Sequence, residues 1–407
     1  MKSNPVRFDG NMVDSPDIPN PASNHLGYFR NVRLVMAALA DFYRIDNYND
    51  TFALGHYARV LDALDRRKGQ TVAFKVMRSE HMATDGEPRW EFRAFANEAD
   101  LLMKLADSPH VVHLLDCGYL EDVSEAPLSG SVESFQRDIR GFIQAAPDFA
   151  TRRWRPYLSL DNLPRSQNLF YLMRPDRQGQ RLRLPTEEGL ALALQFAELL
   201  RLAHKQHIVY LDHKLEHVYW DGINLRIIDL NSSRQLEASN NNQLYRTDVH
   251  NLCVGILYPL FTGLSPQKGT LRPQPGNMTE VMSRYQDITT LDFGVEPSLS
   301  PSLQQLLQRG AEMQLESVDE FIAGLQEVAT LHGWDFPHHY TSPASRDARA
   351  QMRAGLTRLR KGHDALREAR DLFREAAIQD GITEDMEAEL RRLVKSVNDM
   401  LNGRVIP

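Results

Sequence analysis

The sequence has few cysteines, no long apolar run and no excess of basic residues. Its two cysteines, Cys117 and Cys253, exclude a disulfide framework and favour a reducing, cytoplasmic location. No stretch approaches the roughly 18 apolar residues of a membrane-spanning helix. Residues 1–24 are polar and proline-rich, unlike a secretion signal. We therefore expect a cytoplasmic protein without a membrane partner.

The charge balance argues against another class of partner. Asp and Glu number 54 against 47 Lys and Arg, which gives a formal net charge of −7. Such a mildly acidic chain lacks the overall positive field that attracts DNA or RNA, so no nucleic-acid partner is expected. The 407 residues suffice for two or three domains with at least one large core.

The order of predicted elements indicates an α+β fold. Runs rich in β-branched and aromatic residues dominate the first part of the chain, whereas helical periodicity dominates the later part. We predict two lobes and a helical tail. The predicted divisions are an N-terminal arm and helix (1–49), a small lobe (50–176) with an insertion (121–166), a large lobe (177–340) and a helical hairpin (341–407).

Periodicity and composition predict three local elements. Apolar residues at helical spacing predict a helix over Tyr28–Tyr43. The run VESFQRDIRGFIQ, residues 132–144, is typical of a short amphipathic helix. The compact apolar run NLFYLMRP, residues 168–175, predicts a strand that ends at its proline.

A lysine and a glutamate form the first candidate pair. Lys75 lies in the strand-like run TVAFKVM, and Glu98 lies in the helical stretch that follows. Taken singly, each is most simply an exposed charged residue. Together they have a functional interpretation, because a lysine that must stay fixed over nucleotide phosphates needs a carboxylate to hold it.

The second group of candidates surrounds a predicted hairpin. Asp212 and Lys214 precede the turn dipeptide Asp221-Gly222, and Asp229 ends the second strand. An aspartate at the end of a buried strand must be solvated, paired or bound to metal. Two carboxylates held by one hairpin could orient a hydroxyl and bind a divalent ion.

Taken in their order along the chain, the motifs around these candidate residues resemble those of the eukaryotic-type protein kinase family, as found in bacteria. VAFK, at residues 72–75, resembles the VAIK strand of the family. IVYLDHKLEHVYWDG, at 208–222, resembles IVHRDLKPENILLDE without a gap, and RIIDLN, at 226–231, resembles KLIDFG. TDVHNLCVGILYPLFTG, at 247–263, resembles helix F, whose aspartate braces the catalytic loop from below. The likeness covers about residues 50–330 and implies a two-lobed kinase-like fold.

The resemblance implies ATP-dependent phosphoryl transfer to a hydroxyl acceptor, with a protein as the expected substrate or partner. Lys75 would contact the α- and β-phosphates with Glu98 as its ion-pair partner. Asp212 would be the catalytic base, Lys214 would neutralise the γ-phosphate, and Asp229 would bind Mg²⁺ or Mn²⁺.

Further nucleotide contacts are implied by position in the resemblance. Gly55 is the one glycine kept in the segment that resembles the glycine-rich loop, and Val60 follows at the end of that motif. Ala73 belongs to the strand of Lys75. Met173 would be the gatekeeper, and Arg174 would begin the segment that contacts adenine.

The sequence departs from the family at positions that bear on activity. His217 occupies the place of the metal-binding asparagine, and imidazole suits Mn²⁺ or Zn²⁺ better than Mg²⁺. Tyr210 and Leu211 replace the usual His-Arg. The segment from Asp229 to Asp248, from which the family builds its peptide-docking platform, is severely shortened. A catalytically silent pseudokinase, acting as a nucleotide sensor or scaffold, is therefore the alternative to an active phosphotransferase.

A minor alternative comes from a different motif in the same segment. His213, Glu216 and His217 match the HxxEH pattern of inverted zincin peptidases. Two histidines one helical turn apart could bind Zn²⁺, with the glutamate as the base. This interpretation requires a continuous helix and leaves Lys75 and Asp229 unexplained.

Overall fold

The described part of the chain belongs to one compact unit. The computed structural model describes residues 35–48, 57–82, 89–124, 127, 129–173, 183–237, 242–264, 281, 283–334, 336, 343–379 and 383–402. The chain divides into units of residues 1–34 and 35–407, so the predicted N-terminal arm lies outside the described residues.

A seven-stranded antiparallel sheet dominates the first part of the chain, in the order β1-β6-β5-β7-β4-β3-β2. Its strands are β1 (Val35–Ala38), β2 (Tyr43–Tyr48), β3 (Ala58–Asp65), β4 (Gln70–Met77), β5 (Leu114–Leu120), β6 (Ser131–Gln136) and β7 (Arg155–Asp161). Two short antiparallel pairs follow, β8 (Ile208–Val209) with β11 (Arg234–Gln235) and β9 (Val218–Trp220) with β10 (Leu225–Ile227).

Helices flank the sheet and form most of the later chain, which makes the fold mixed α+β as the sequence predicts. They are α1 (Leu39–Phe42), α2 (Trp90–Lys104), α3 (Ile139–Thr151), α4 (Leu169–Leu172), α5 (Thr186–Lys205), α6 (Asn242–Asn251), α7 (Tyr258–Thr262), α8 (Pro301–Ala311), α9 (Val318–Leu331), α10 (Pro343–Ala377) and α11 (Glu384–Leu401). A π-helical turn, Leu252–Leu257, joins α6 to α7.

The alternation in β4 explains how the sheet supports the site. Val72, Phe74 and Val76 are all fully buried on one face, where Phe74 stacks on Tyr157 of β7 with ring centroids 4.8 Å apart. Alternation then directs Lys75 to the other face. The apolar face fixes the register, because a shift by one residue would bury the opposite set of side chains.

Helix α5 is the central helix of the later chain and is buried along most of its length. Its Gly189 lies so close to α7 that a Cβ there would be 2.3 Å from the Phe261 ring. Only glycine permits that approach. This packing holds α5 and the loop that follows it in one core with the helical run α6–α7.

The structure corrects the predicted helix over Tyr28–Tyr43. Residues 28–34 lie outside the described part, and the remainder forms β1, the single turn α1 and the start of β2. Strand β1 pairs with β6, Val35 lying opposite Ser134. Pairing across the chain outweighs the local helical periodicity, because most of a helix's stability in a protein comes from tertiary packing.

The predicted helix over residues 132–144 is correct only from Ile139 onward. The predicted strand over 168–175 is wrong for residues 168–173, and residues 174 and 175 lie outside the described part. The first segment forms β6 and then α3, which begins where the Asp138 side chain accepts a hydrogen bond from the Gly141 N–H. The second forms α4, because the Asn168 side chain accepts a hydrogen bond from the Phe170 N–H and starts a helical turn. Short apolar runs do not separate strand from helix by periodicity alone.

The segment predicted as an insertion, 121–166, is part of the main sheet. It supplies β6, α3 and β7, and β7 pairs with both β4 and β5. At the other end of the chain, α10 and α11 pack against each other as the predicted helical hairpin. No helix among the described residues combines the length and apolar character required to cross a bilayer.

Candidate functional site

Lys75 of β4 is held between two carboxylates from distant parts of the chain. Its Nζ lies 2.7 and 2.9 Å from the two carboxylate oxygens of Glu98 and 3.0 Å from Oδ1 of Asp229. Glu98 is completely buried on α2, and Lys75 is 5% exposed. The predicted contact between the lysine and its carboxylate partner is therefore present, with a third charged group beside it.

The charges of this group reinforce one another. Burial alone would lower the pKa of Lys75, but the negative charges of Asp229 and Glu98 raise it well above the usual value. The ammonium group is thus fully charged at neutral pH. It neutralises two carboxylates that would otherwise repel each other in a buried place.

Asp229 lies just after β10 in an uncommon backbone conformation. Its φ is 65°, in the left-handed region that residues other than glycine seldom adopt. Although burial raises the pKa of Asp229, the positive charges of Lys75 and His217 lower it far below its usual value. The carboxylate is ionised, and a backbone strained in this way is typical of functional sites.

A second pair lies in the loop between β8 and β9. Lys214 Nζ lies 2.7 Å from Oδ2 of Asp212, and both side chains are buried. Burial raises the pKa of Asp212, yet the charges of His217, Lys214 and Arg284 together bring it below its usual value. Oδ1 of Asp212 is buried and accepts no well-aligned hydrogen bond from the described residues, although Arg284 Nη2 lies 3.1 Å away. A buried acceptor of this kind is suited to a donor on a bound molecule.

Asp248 of α6 supports the loop from within the core. It is completely buried, and its carboxylate accepts hydrogen bonds from the backbone N–H groups of Tyr210 and Leu211, at 2.8 and 2.7 Å. His204 Nε2 of α5 lies 2.9 Å from the same carboxylate. The bracing contact predicted for Asp248 is present. The contact of His204 with Asp248 was not predicted from the sequence.

No protein-family model matches the chain, and no curated protein matches it either.

His217 connects the two acidic positions. Its Nε2 lies 3.5 Å from Oδ2 of Asp229, and its Nδ1 lies 3.7 Å from Oδ2 of Asp212. Burial is the main reason that the pKa of His217 is lowered, and the charge of Lys214 adds to that effect. The imidazole of His217 and the ionised carboxylate of Asp229 are a pair of potential metal ligands.

The donor set fits a divalent ion only in part. Within the described ranges, no group of three His, Cys, Asp or Glu side chains is arranged to hold a metal. Asp229 and His217 could supply two ligands, and the remaining ligands would have to come from water or a bound anion. Mg²⁺ and Mn²⁺ commonly bind in this way when the anion is a phosphate.

The HxxEH interpretation lacks the geometry that it needs. His213 lies in a loop, and Leu215–His217 forms a single 3₁₀ turn, so the two histidines are not one turn apart on an α-helix. The His213 ring is completely buried and stacks on Phe196 with ring centroids 5.3 Å apart. Its burial is typical of a core histidine.

Two of the predicted nucleotide contacts lie on the face of Lys75. Val60 is the cross-strand partner of Lys75, and Ala73 is two residues before it on β4, opposite Leu160 of β7. Val60 and Ala73 are half-buried, so together they provide an apolar surface beside the lysine. Gly55 and Arg174 lie outside the described residues.

Met173 does not occupy the position predicted for it. It is 1% exposed and lies in the core directly after α4. The strand beside β4 is β7, which ends at Asp161. On β7, Leu158 lies opposite Lys75 and Leu160 lies opposite Ala73, so both leucines belong to the face of Lys75. The prediction chose the wrong apolar run, because RPYLSLD of β7 gives no stronger strand signal than the run containing Met173.

Arg284 is the charged residue of this site that the sequence did not reveal. Its Nη2 lies 3.1 Å from Oδ1 of Asp212, and its side chain is 14% exposed. Nothing near Arg284 in the sequence resembles a motif. Only the fold brings the segment after α7 to the loop of Asp212.

Proposed function

We propose that this chain is a divergent, two-lobed protein-kinase-like phosphotransferase that moves the γ-phosphate of ATP to a hydroxyl group. The observation that carries the proposal is the contact of Lys75 with both Glu98 and Asp229. These residues come from three distant segments, and they are the residues that the sequence resemblance assigns to nucleotide phosphates and metal.

The surroundings of Lys75 support a nucleotide site. Val60, Ala73 and Leu160 provide an apolar surface against which adenine would lie. Lys75 would then contact the α- and β-phosphates. Asp229 and His217 would hold a divalent metal ion, which would offset the negative charge of the phosphates. The antiparallel order of β3, β4 and β7 and the position of Glu98 on the next helix also agree with this proposal.

The second cluster supplies groups for the transfer step. The acceptor hydroxyl would donate to Oδ1 of Asp212, the buried atom that accepts no well-aligned hydrogen bond from the described residues. The acceptor oxygen then forms a bond to the γ-phosphorus, and the bond to the β,γ-bridging oxygen breaks with its electron pair leaving on ADP. The hydroxyl proton passes to Asp212 and then to solvent. Lys214 would stabilise the charge on the transferred group.

A catalytically silent nucleotide-binding protein is the second candidate. The observation that favours it is the ion pair between Arg284 and Asp212, because a base whose oxygen already faces a cation is less available to a hydroxyl. The two candidates agree on nucleotide binding. They differ in whether phosphate is transferred, so binding and transfer must be measured separately.

The first experiment is a thermal-shift titration with ATP in the presence of Mg²⁺, Mn²⁺ or EDTA. A ligand at 100-fold its Kd stabilises a protein by about 2.7 kcal/mol. We expect metal-dependent stabilisation in the wild type and in the exposed-site control Asp107→Asn, and none in Asp229→Ala. The absence of stabilisation in every condition would contradict nucleotide binding.

The second experiment tests transfer itself with γ-labelled ATP and candidate hydroxyl acceptors. Asp212→Asn removes the carboxylate charge but keeps the size of the side chain. An active enzyme should lose most of its transfer in this variant while it keeps its ATP-dependent thermal shift. Equal transfer by the variant and the wild type would leave the silent nucleotide-binding protein as the better description.

A further inference from the structure

The two oxygens of Asp212 face different cations. Lys214 Nζ is 2.7 Å from Oδ2, and Arg284 Nη2 is 3.1 Å from Oδ1. Oδ1 is also the oxygen that accepts no well-aligned hydrogen bond from the described residues. The contact with Arg284 is therefore an ion pair at the oxygen that the proposed acceptor hydroxyl would approach.

Arg284 is held in place by the residue next to it. The Tyr285 hydroxyl donates a 2.7 Å hydrogen bond to the backbone carbonyl of His213, one residue after Asp212. His250 Nε2 of α6 lies 3.1 Å from the Tyr285 carbonyl oxygen. The segment of Arg284 is thus anchored both to the loop that carries Asp212 and to α6.

Arg284 acts on the Asp212 part of the site. The pKa of Asp229 is lowered most by the charges of Lys75, His217 and Lys214. Arg284 is instead among the charges that lower the pKa of Asp212. Lys75 and Lys214 would be used by nucleotide phosphates. Arg284 is the cation that lies beside Oδ1 of Asp212, the oxygen that would accept from the acceptor hydroxyl.

We propose that Arg284 selects acceptors that carry an anionic group, a phosphate or a carboxylate, next to the reacting hydroxyl. This inference rests on the proposed phosphotransferase function and names the substrate class of the same site. A guanidinium group pairs with either anion in a planar, directional geometry. The Arg284 side chain is 14% exposed, although its Nε and Nη2 atoms are themselves buried.

Because Arg284 pairs with Asp212, binding of the anionic group of the acceptor and activation of its hydroxyl group depend on each other. An anionic acceptor draws the guanidinium towards itself and leaves Oδ1 free to accept the hydrogen bond of the hydroxyl. A neutral acceptor, or water, cannot compete with Asp212 for Arg284. The site therefore favours an anionic acceptor over hydrolysis, a form of induced fit.

The test compares matched acceptors that differ only in the anionic group. One pair is glycerol 3-phosphate and glycerol, which represents small molecules. The other is a serine tetrapeptide with a glutamate after the serine and the same peptide with glutamine, which represents acidic sites on proteins. Transfer from γ-labelled ATP gives kcat/KM for each, and the arm with the larger preference identifies the source of the anion.

We expect the wild type to prefer an anionic member by about tenfold or more, as the loss of a charge-assisted hydrogen bond implies. In Arg284→Gln the preference should largely disappear and ATP hydrolysis should increase, whereas Arg284→Lys should keep part of the preference. Arg391→Gln is the matched control, since Arg391 is exposed and pairs with Glu387 of the same helix, α11. It should behave as the wild type.

A binding measurement keeps the inference testable if no acceptor is turned over. With ADP and metal at saturation, the anionic acceptors should raise the melting temperature of the wild type more than the neutral ones, and Arg284→Gln should lose this difference. An equal response to both members of each pair overturns the inference, and so does a preference unchanged in Arg284→Gln. If Arg284→Gln raises kcat/KM equally for all acceptors, Arg284 is an inhibitory contact instead. Failure of ADP to bind would instead contradict the proposed function.

Discussion

The backbone N–H of Leu211 donates a 2.7 Å hydrogen bond to Oδ1 of Asp248, while Leu211 has a φ of 64°. A bulky side chain in the left-handed region costs about 1–3 kcal/mol. The buried carboxylate offsets this cost, because it also accepts the Tyr210 N–H. The turn that presents Asp212 to the site is therefore stabilised from α6.

Asp248→Asn should destabilise the protein by about 2 kcal/mol, since the amide loses the charge that strengthens two hydrogen bonds. The melting temperature and urea unfolding measure this loss. The exposed Asp107→Asn serves as the control and should change stability by less than about 0.5 kcal/mol. Equal stability of the two variants would mean that Asp248 does not support the loop.

Replacing Lys75 should affect stability as well as binding. Lys75→Met leaves Glu98 and Asp229 without their shared cation, and breaking a buried ion pair typically costs about 3–5 kcal/mol. Lys75→Met/Glu98→Gln should regain part of that loss while nucleotide-dependent stabilisation stays absent. Urea unfolding measures both effects.

The matched control for Lys75 is Lys68→Met in the exposed turn between β3 and β4. It should unfold at the same urea concentration as the wild type. If Lys75→Met is as stable as this control, the three charged groups do not form the buried network described above.

The charged residues at the centre of the site were easier to predict than the residue contributed by a segment far along the chain. Lys75, Glu98 and Asp229 could be selected together because their order along the chain resembles that of the protein kinase family. Arg284 could not, since it joins the site only through packing of a segment far along the chain. Local sequence carries no signal for such a contact.

The strand-like run of β4 and the helical stretch of α2 were predicted correctly. The prediction failed where tertiary pairing or side-chain capping outweighs the local pattern. Residues 35–43 instead form β1, α1 and the start of β2, because β1 gains its hydrogen bonds from β6. Asn168 starts α4 with a side-chain cap that outweighs the strand preference of the residues after it. Tertiary pairing and capping decide such short elements.

His217 should set the metal preference of the proposed nucleotide site. Its imidazole suits Mn²⁺ better than Mg²⁺, so ATP binding by the wild type should be tighter with Mn²⁺. His217→Asn supplies an amide oxygen and should shift the preference towards Mg²⁺. Calorimetric titration of ATP with each metal measures the ratio. A ratio that is the same in both proteins would exclude His217 as a ligand.

His213 should make stability depend on pH. Burial lowers the pKa of His213 from 6.5 to about 4, so the unfolded chain binds a proton at higher pH than the folded chain. The stabilisation is fully present above pH 6.5 and is lost as the pH falls towards 4, by about 3 kcal/mol in all. Urea unfolding between pH 7 and 4 should show a shallower pH slope in His213→Gln. The exposed His332→Gln should keep the wild-type slope, and a wild-type slope in His213→Gln would contradict the assignment.

Gly255 connects packing of the helical run to the position of Arg284. A Cβ at Gly255 would lie 2.6 Å from the ring of Tyr285, which is buried and anchors the segment of Arg284. Gly255→Ala should therefore destabilise the protein by about 1–3 kcal/mol through overpacking, and it should weaken the preference for anionic acceptors by displacing Arg284. Gly355→Ala in α10 meets no atom within 4 Å and should stabilise the chain by about 0.5–1 kcal/mol through helix propensity alone. If both variants gain stability and keep the same acceptor preference, Tyr285 does not hold Arg284 against the site.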